Sequence, residues 1–157
     1  MSIQKLPKMD KIEIEKLISE QRLCRIAFKG KEYPYIAPFQ YIRIDKVLFF
    51  HFTDYGKKIA LIERDNRVCV EIEKYRPDLS SYNFVILRGE LEEVKDISLK
   101  SKVIKKIVEE GKANLSINFL AAHGIKKEEG WESLIKKKNL LIVKLKNIKE
   151  IIGLKSP

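Results

Sequence analysis

Apolar positions change their period several times along this chain. Between Asp10 and Gln21 they recur at helical spacing: Asp10 and Glu13 have the spacing of a capping box, and Ile14, Leu17 and Ile18 share one face. Short apolar runs follow. Arg25–Phe28 ends at the turn signal Lys29-Gly30-Lys31, Tyr33–Ile44 is broken by Asp45-Lys46, and Val47–Phe52 is almost unbroken. These runs predict three strands of an antiparallel meander with short loops. Phe49 and Phe50 point to opposite faces of a strand, so the third strand is expected to be covered on both sides. The period then becomes helical again. Thr53-Asp54 offers an N-cap, and Tyr55, Ile59 and Ile62 mark one face of a short helix reaching Asp65.

Val68–Ile72 reads as a strand, Pro77–Ser81 as a loop, and Phe84–Val94 as a strand with Gly89 at a bulge or bend. Asp96 caps a helix that turns Val103, Ile104, Ile107 and Val108 inward, with Gly111 as its stop. Residues 113–138 carry a weaker pattern: Phe119–Ala122 suggests a short helix, and Lys126–Lys138 a charged surface segment around Trp131. Leu140–Leu145 is a final strand, with Ile148, Ile151 and Ile152 beyond it. Neither a repeat nor a linker divides the chain, so residues 1–157 are expected to form a single domain. The fold class is mainly β (α+β): a closed or nearly closed six-stranded antiparallel barrel with peripheral helices. Side chains fill so narrow a barrel, and a ligand is expected on its outside or between subunits.

Composition agrees with a globular domain: 45% of the 157 residues are apolar and 34% charged, with 7 Gly and 5 Pro. No run approaches about 18 uninterrupted apolar residues, which excludes a membrane-spanning helix. Met1–Asp10 lacks the apolar core of a secretory signal, and two cysteines cannot make a disulfide framework, so a reducing, cytoplasmic setting is expected. The net charge of +10 is uneven: residues 1–94 hold 17 basic against 15 acidic side chains, and residues 95–157 hold 15 against 7. All fifteen bases of the second part are Lys. Nucleic-acid sites favour Arg for bidentate contacts, and with 22 Ile and 25 Lys in the chain the excess reads as a compositional bias, which argues against a nucleic-acid partner.

Two stretches carry candidate chemistry. In Val47–Glu63 a strand leaves the core and Thr53-Asp54-Tyr55-Gly56-Lys57-Lys58 opens a helix, whose free N–H groups favour anions. Gly56 permits close approach to the backbone, while Lys57 and Lys58 oppose the helix dipole, a local conflict expected at functional sites. The stretch is either a phosphate cradle or a pair of solvated lysines. In Tyr33–Tyr41, Pro34 and Pro38 predict an edge strand or a bulge near Pro38. Its unpaired backbone could hydrogen-bond a flat heterocycle, or the prolines could simply block aggregation.

The order of Cys24–Phe28, Tyr33–Tyr41, Leu48–Lys58 and Asn66–Glu71 resembles the pyridoxamine-phosphate-oxidase-like split-barrel family, above all its nitroimidazole-resistance branch. The resemblance covers about residues 10–94 well and the last strand through Gly153 loosely. It implies a six-stranded split barrel that forms a homodimer with FMN in two interface clefts. It places the isoalloxazine along Ala37, Pro38, Phe39, Gln40 and Tyr41, with contacts mainly to backbone. It brings His51, Phe52 and Thr53 to the cofactor from the next strand, and puts Lys57 and Lys58 on its phosphate. Tyr82–Val85 matches the strand that approaches the flavin from below, with Asn83 as the contact. Phe84 departs from the polar residue common there. The resemblance implies an FMN-dependent oxidoreductase with a small-molecule electron donor and acceptor, or alternatively a non-catalytic module holding FMN, haem or a deazaflavin. Oxidation of pyridoxamine phosphate itself is disfavoured, because the arginine cluster expected for that substrate has no counterpart in the all-Lys tail.

Single residues keep two readings each. His51 is a packing histidine or a near-flavin group; His123 caps a helix C-terminus or faces the partner's cofactor. Trp131 stacks at the dimer interface or covers a hydrophobic edge. Arg25 and Arg88 need partners if buried. Cys24 and Cys69 read as buried small residues, and the spacings of Cys24, His51, Cys69 and His123 match no metal pattern.

Overall fold

A computed structural model describes residues 3–157. Its six strands are β1 (Leu23–Phe28), β2 (Tyr35–Ile44), β3 (Val47–Thr53), β4 (Arg67–Tyr75), β5 (Tyr82–Glu93) and β6 (Leu140–Lys155). All neighbours are antiparallel, and the wall closes in the order β1-β2-β3-β6-β5-β4. Three helices, α1 (Lys11–Glu20), α2 (Lys57–Arg64) and α3 (Ile97–Asn114), lie outside the wall.

Local sequence explains most boundaries. Asp10 accepts from the Glu13 N–H while Glu13 accepts from the Asp10 N–H, both at 2.8 Å, so the predicted capping box starts α1. Asp45 and Lys46 both take positive φ, 49° and 66°, and close the β2–β3 hairpin. Gly89 sits where the β5–β6 register shifts, as its position within a strand suggests. Asp96 caps α3 through the Leu99 N–H at 2.6 Å.

Two expectations are corrected. α2 begins at Gly56, with φ of 101°, instead of at Thr53 or Asp54; Thr53 Oγ1 donates to Tyr55 O at 3.0 Å and is spent on the preceding turn. Leu61 is the buried residue of α2, and Tyr55 is 65% exposed. Gly111 does not stop α3, which continues to Asn114. A Cβ on Gly111 would lie 2.4 Å from the Trp131 ring, so this glycine is required by the indole that packs on it.

The wall separates two cores, as expected for a third strand covered on both sides. Phe28, Phe39, Tyr41, Phe50, Phe52, Val70 and Val85 fill the barrel interior, which α1 closes with Leu17 and Ile18. Ile42, Phe49 and Ile142 point outward into a second core under α3. Residues 115–139 complete that second core with three short 3-10 turns, Ile117–His123, Lys127–Glu129 and Trp131–Lys136. Trp131 is 6% exposed, so this segment is an anchored strap and not the charged surface stretch its lysines suggest.

Candidate functional site

β2 and β3 pair only over Tyr41–Ile44 against Val47–Phe50. Beyond that point they part: Phe49–Thr53 of β3 pairs with β6, and Leu23–Phe28 of β1 pairs with Tyr35–Gln40 of β2. The first half of β2 therefore has a ladder on one side only. Pro38, opposite Arg25, lies in this half, where a missing backbone donor is tolerated. The sequence expectation of an edge near Pro38 is met within a closed barrel, as a seam in its wall.

Two lysines stand at this seam. Gly56 turns the chain at the end of β3, and α2 opens with Lys57 and Lys58. Lys57 Nζ lies 5.0 Å from the Tyr35 ring centroid, and Lys58 Nζ lies 5.2 Å from that of Phe39. Cation–π contacts of this kind hold the ammonium groups over the seam at about 0.5–1 kcal/mol each when exposed. Lys29, Lys74, Lys112 and Lys146 each meet a carboxylate. Among the described residues no acidic partner is seen for Lys57 or Lys58. Their charges and the free N–H groups of the first turn of α2 make an electropositive corner.

The other expected residues divide into two sets. Phe39, Tyr41 and Phe52 turn inward; Phe39 and Phe52 have ring centroids 4.7 Å apart, and Tyr41 donates its hydroxyl to Ile18 O at 2.6 Å. Ala37 packs against the same interior, so these residues can meet a ligand only through backbone. Burial drives the Tyr41 hydroxyl above its ordinary pKa, and the thiol of Cys24 is pushed up to about 12 for the same reason. Pro38, Gln40, His51 and Thr53 alternate outward. Gln40 is 6% exposed, yet neither its Oε1 nor its Nε2 has a hydrogen-bond partner. A buried amide left so costs about 1–3 kcal/mol, which singles it out. It lies one residue before the β2–β3 ladder begins, in a cavity it shares with Arg22, Lys106 and Glu110.

His51 Nε2 lies 2.5 Å from His123 Nε2 on the first 3-10 turn. His123 Nδ1 lies 3.1 Å from Phe119 O, and Phe119 stacks on Trp131 at 6.1 Å. Both imidazoles titrate below their ordinary range. Burial is the main cause for each; His123, Lys137 and Lys58 add to it for His51, and Lys137 for His123. The two histidines stand 72 positions apart, and no local pattern announces their meeting. Only the strap's path over β3 creates it.

Asn83 and Trp131 lie elsewhere. Asn83 sits at the start of β5, between Lys74 of β4 and Lys155 of β6. Trp131 packs on Gly111 of α3 and stacks on Phe119, which is the reading in which it covers a hydrophobic edge. Arg25 is half-buried and Arg88 exposed, and they pair with Glu73 and Glu150. Cys24 is buried, Cys69 half-buried, and both are free thiols.

A six-stranded barrel whose wall parts beside a basic helix start defines a split barrel. Residues 10–128 match the family profile of pyridoxamine 5'-phosphate oxidase, and the chain belongs to that family. No curated protein matches it at a significant level. Among solved structures it is similar to an FAD-binding protein from Mesorhizobium loti, at 20% identity over 98% of this chain and 100% of that one, with a TM-score of 0.66. It is also similar to a candidate 5-nitroimidazole antibiotic resistance protein from Bacteroides thetaiotaomicron, at 21% identity, 97% and 89% coverage and a TM-score of 0.67. A third likeness is to the haem storage protein HutZ from Vibrio cholerae, at 12% identity, 92% and 94% coverage and a TM-score of 0.67. At these identities the likenesses establish the fold.

Proposed function

We propose that this chain is a flavoprotein that holds FMN at the seam between two copies of itself and passes electrons from a small-molecule donor to a small-molecule acceptor. The observation that carries this reading is the pair Lys57 and Lys58, without a carboxylate partner, over the open half of β2 in a member of this family. The fit extends to Gln40, whose buried amide offers one donor and one acceptor to a heterocycle edge. The free backbone of Tyr35–Gln40 would hold the ring plane, and Lys57 and Lys58 the phosphate. A bound flavin supplies hydride and electron transfer, and the protein's part is binding, orientation and electrostatics.

A dimer is supported by apolar side chains exposed on three strands of the wall: Leu23 of β1, Ile36 of β2 and Ile151 of β6, at 52%, 60% and 49%. Asn83, remote from the seam of its own chain, would serve only as a residue offered to a partner's cleft. The free thiols Cys24 and Cys69 agree with a cytoplasmic setting.

A spectrum of natively purified protein tests the reading: flavin absorbance and release of FMN are expected, and colourless, ligand-free protein overturns it. In the double variant Lys57→Glu, Lys58→Glu, affinity for FMN should fall by about a hundredfold or more, since each charge-assisted hydrogen bond is worth about 1.5–3 kcal/mol. A second reading, a non-catalytic store for flavin or haem, draws on the structural likeness to a haem storage protein. Reduction of the bound flavin by a nicotinamide donor, followed by reoxidation with an acceptor, separates the two.

A further inference from the structure

The strap over β3 is apolar on one side and thinly attached on the other. Leu120, Ile125, Trp131 and Leu134 are buried beside Val103, Ile107 and Ile142. Among the described residues, the only side-chain hydrogen bond that joins residues 116–138 to a barrel strand is the one between His123 and His51. The other side-chain hydrogen bonds of the strap are internal, and its ion pair, Glu132 with Lys112, reaches α3.

The protonation of this pair follows from its neighbours. Phe119 O can only accept, so His123 Nδ1 carries a proton and the neutral ring has a bare Nε2. His51 Nε2 is then the donor across the 2.5 Å gap. A proton added to His123 Nε2 sets two N–H groups head to head, or drives the His51 proton to Nδ1. Either way a cation enters a partly buried site. The charged groups that face the pair are Lys58 from α2 and Lys137 at the end of the strap, both cationic. From β6 the apolar Ile142 stands opposite His51. Among the described residues no carboxylate stands there to offset a second proton.

We propose that His51 and His123 form a pH-sensitive latch that holds the strap of residues 115–139 on the outer face of β3 and releases it on acidification. The sign is fixed by the depressed titration of both docked rings. Released imidazoles return to an ordinary value near 6.5, so docking is at full strength above about pH 6.5 and weakens as the pH falls below it. Each proton taken up on release raises the released-to-docked ratio by up to about tenfold per pH unit.

Trp131, the single tryptophan, sits in the strap at 6% exposure and reports its docking. Emission wavelength and acrylamide quenching are measured from about pH 8 to about pH 4.5, with far-ultraviolet circular dichroism alongside. The wild type should show a red shift and rising quenching below about pH 6 while its sheet signal stays constant. The double variant His51→Gln, His123→Gln keeps an amide hydrogen bond without titrating and should give a flat profile; His123→Ala should be quenched at every pH. A flat wild-type profile, the same titration in the Gln variant, or loss of sheet signal at the same midpoint overturns the latch. Long-range 15N–1H spectra of wild-type protein near pH 8 provide a check that needs no variant: protons on His51 Nε2 and His123 Nδ1 are expected, and the opposite tautomers overturn the assignment.

Discussion

Two seams of one barrel wall differ in kind. β5 and β6 pair from Asn83–Glu93 against Val143–Lys155, interrupted only at Gly89. β2 and β3 pair over four positions and then diverge. The long seam uses its backbone groups in folding. The short seam leaves half of β2 without a second partner, an amide at Gln40 without any, and two cations without carboxylates. Groups that folding has already satisfied gain little from a ligand; groups that folding leaves open gain much. Binding chemistry is therefore expected where the ladder stops, and the continuous seam supplies the rigidity that holds it open.

The largest effect should come from the shared interior. Phe50 is 0% exposed on the inner face of β3, and Phe50→Ala should lower unfolding stability in urea by about 3–5 kcal/mol. A smaller loss would mean that the interior does not carry the fold. The charge reversal at Lys57 and Lys58 should act in the opposite sense: loss of two cation–π contacts is offset by glutamates that the start of α2 favours, so stability changes by no more than about 1 kcal/mol while FMN affinity collapses. If stability fell as well, the seam would be structural, and the contrast between the two seams would fail.

Gly111→Ala probes the outer core. The new methyl meets the Trp131 ring, and overpacking of this kind costs about 1–3 kcal/mol, partly offset by the roughly 1 kcal/mol gain in helix propensity. Thermal melts should show net destabilisation together with a shift in Trp131 emission. The smallest effect is expected at α1: Asp10→Ala removes half of the capping box and should cost about 1 kcal/mol by urea titration, leaving the seam unaltered.

The legible parts of the chain are local. The box at Asp10 and Glu13, the hairpin at Asp45-Lys46, the cap at Asp96 and the irregularity at Gly89 each depend on a few adjacent residues, and each was placed from sequence. Expectations failed where a distant group decided the outcome. Gly111 looked like a helix stop, because nothing near it in sequence announces the indole twenty positions on. Thr53 looked like a cap, but its hydroxyl is taken by the turn before α2. Lys57 and Lys58 stood out in sequence as cations at the wrong end of a helix. Their setting over Tyr35 and Phe39 needed the fold.

By itself the sequence determined the elements, their caps and turns, the alternation that assigns each strand residue to one of two faces, and the basic pair that marks the seam. Those properties rest on periodicity and on contacts within a turn or two. Tertiary structure alone decided where β2 and β3 part, that Gln40 is buried without a partner, that Trp131 is enclosed, and that His51 and His123 meet. Each of these depends on closing the barrel and laying the strap across it. Side chains far apart in the chain then meet in space, and no local pattern encodes which of them do.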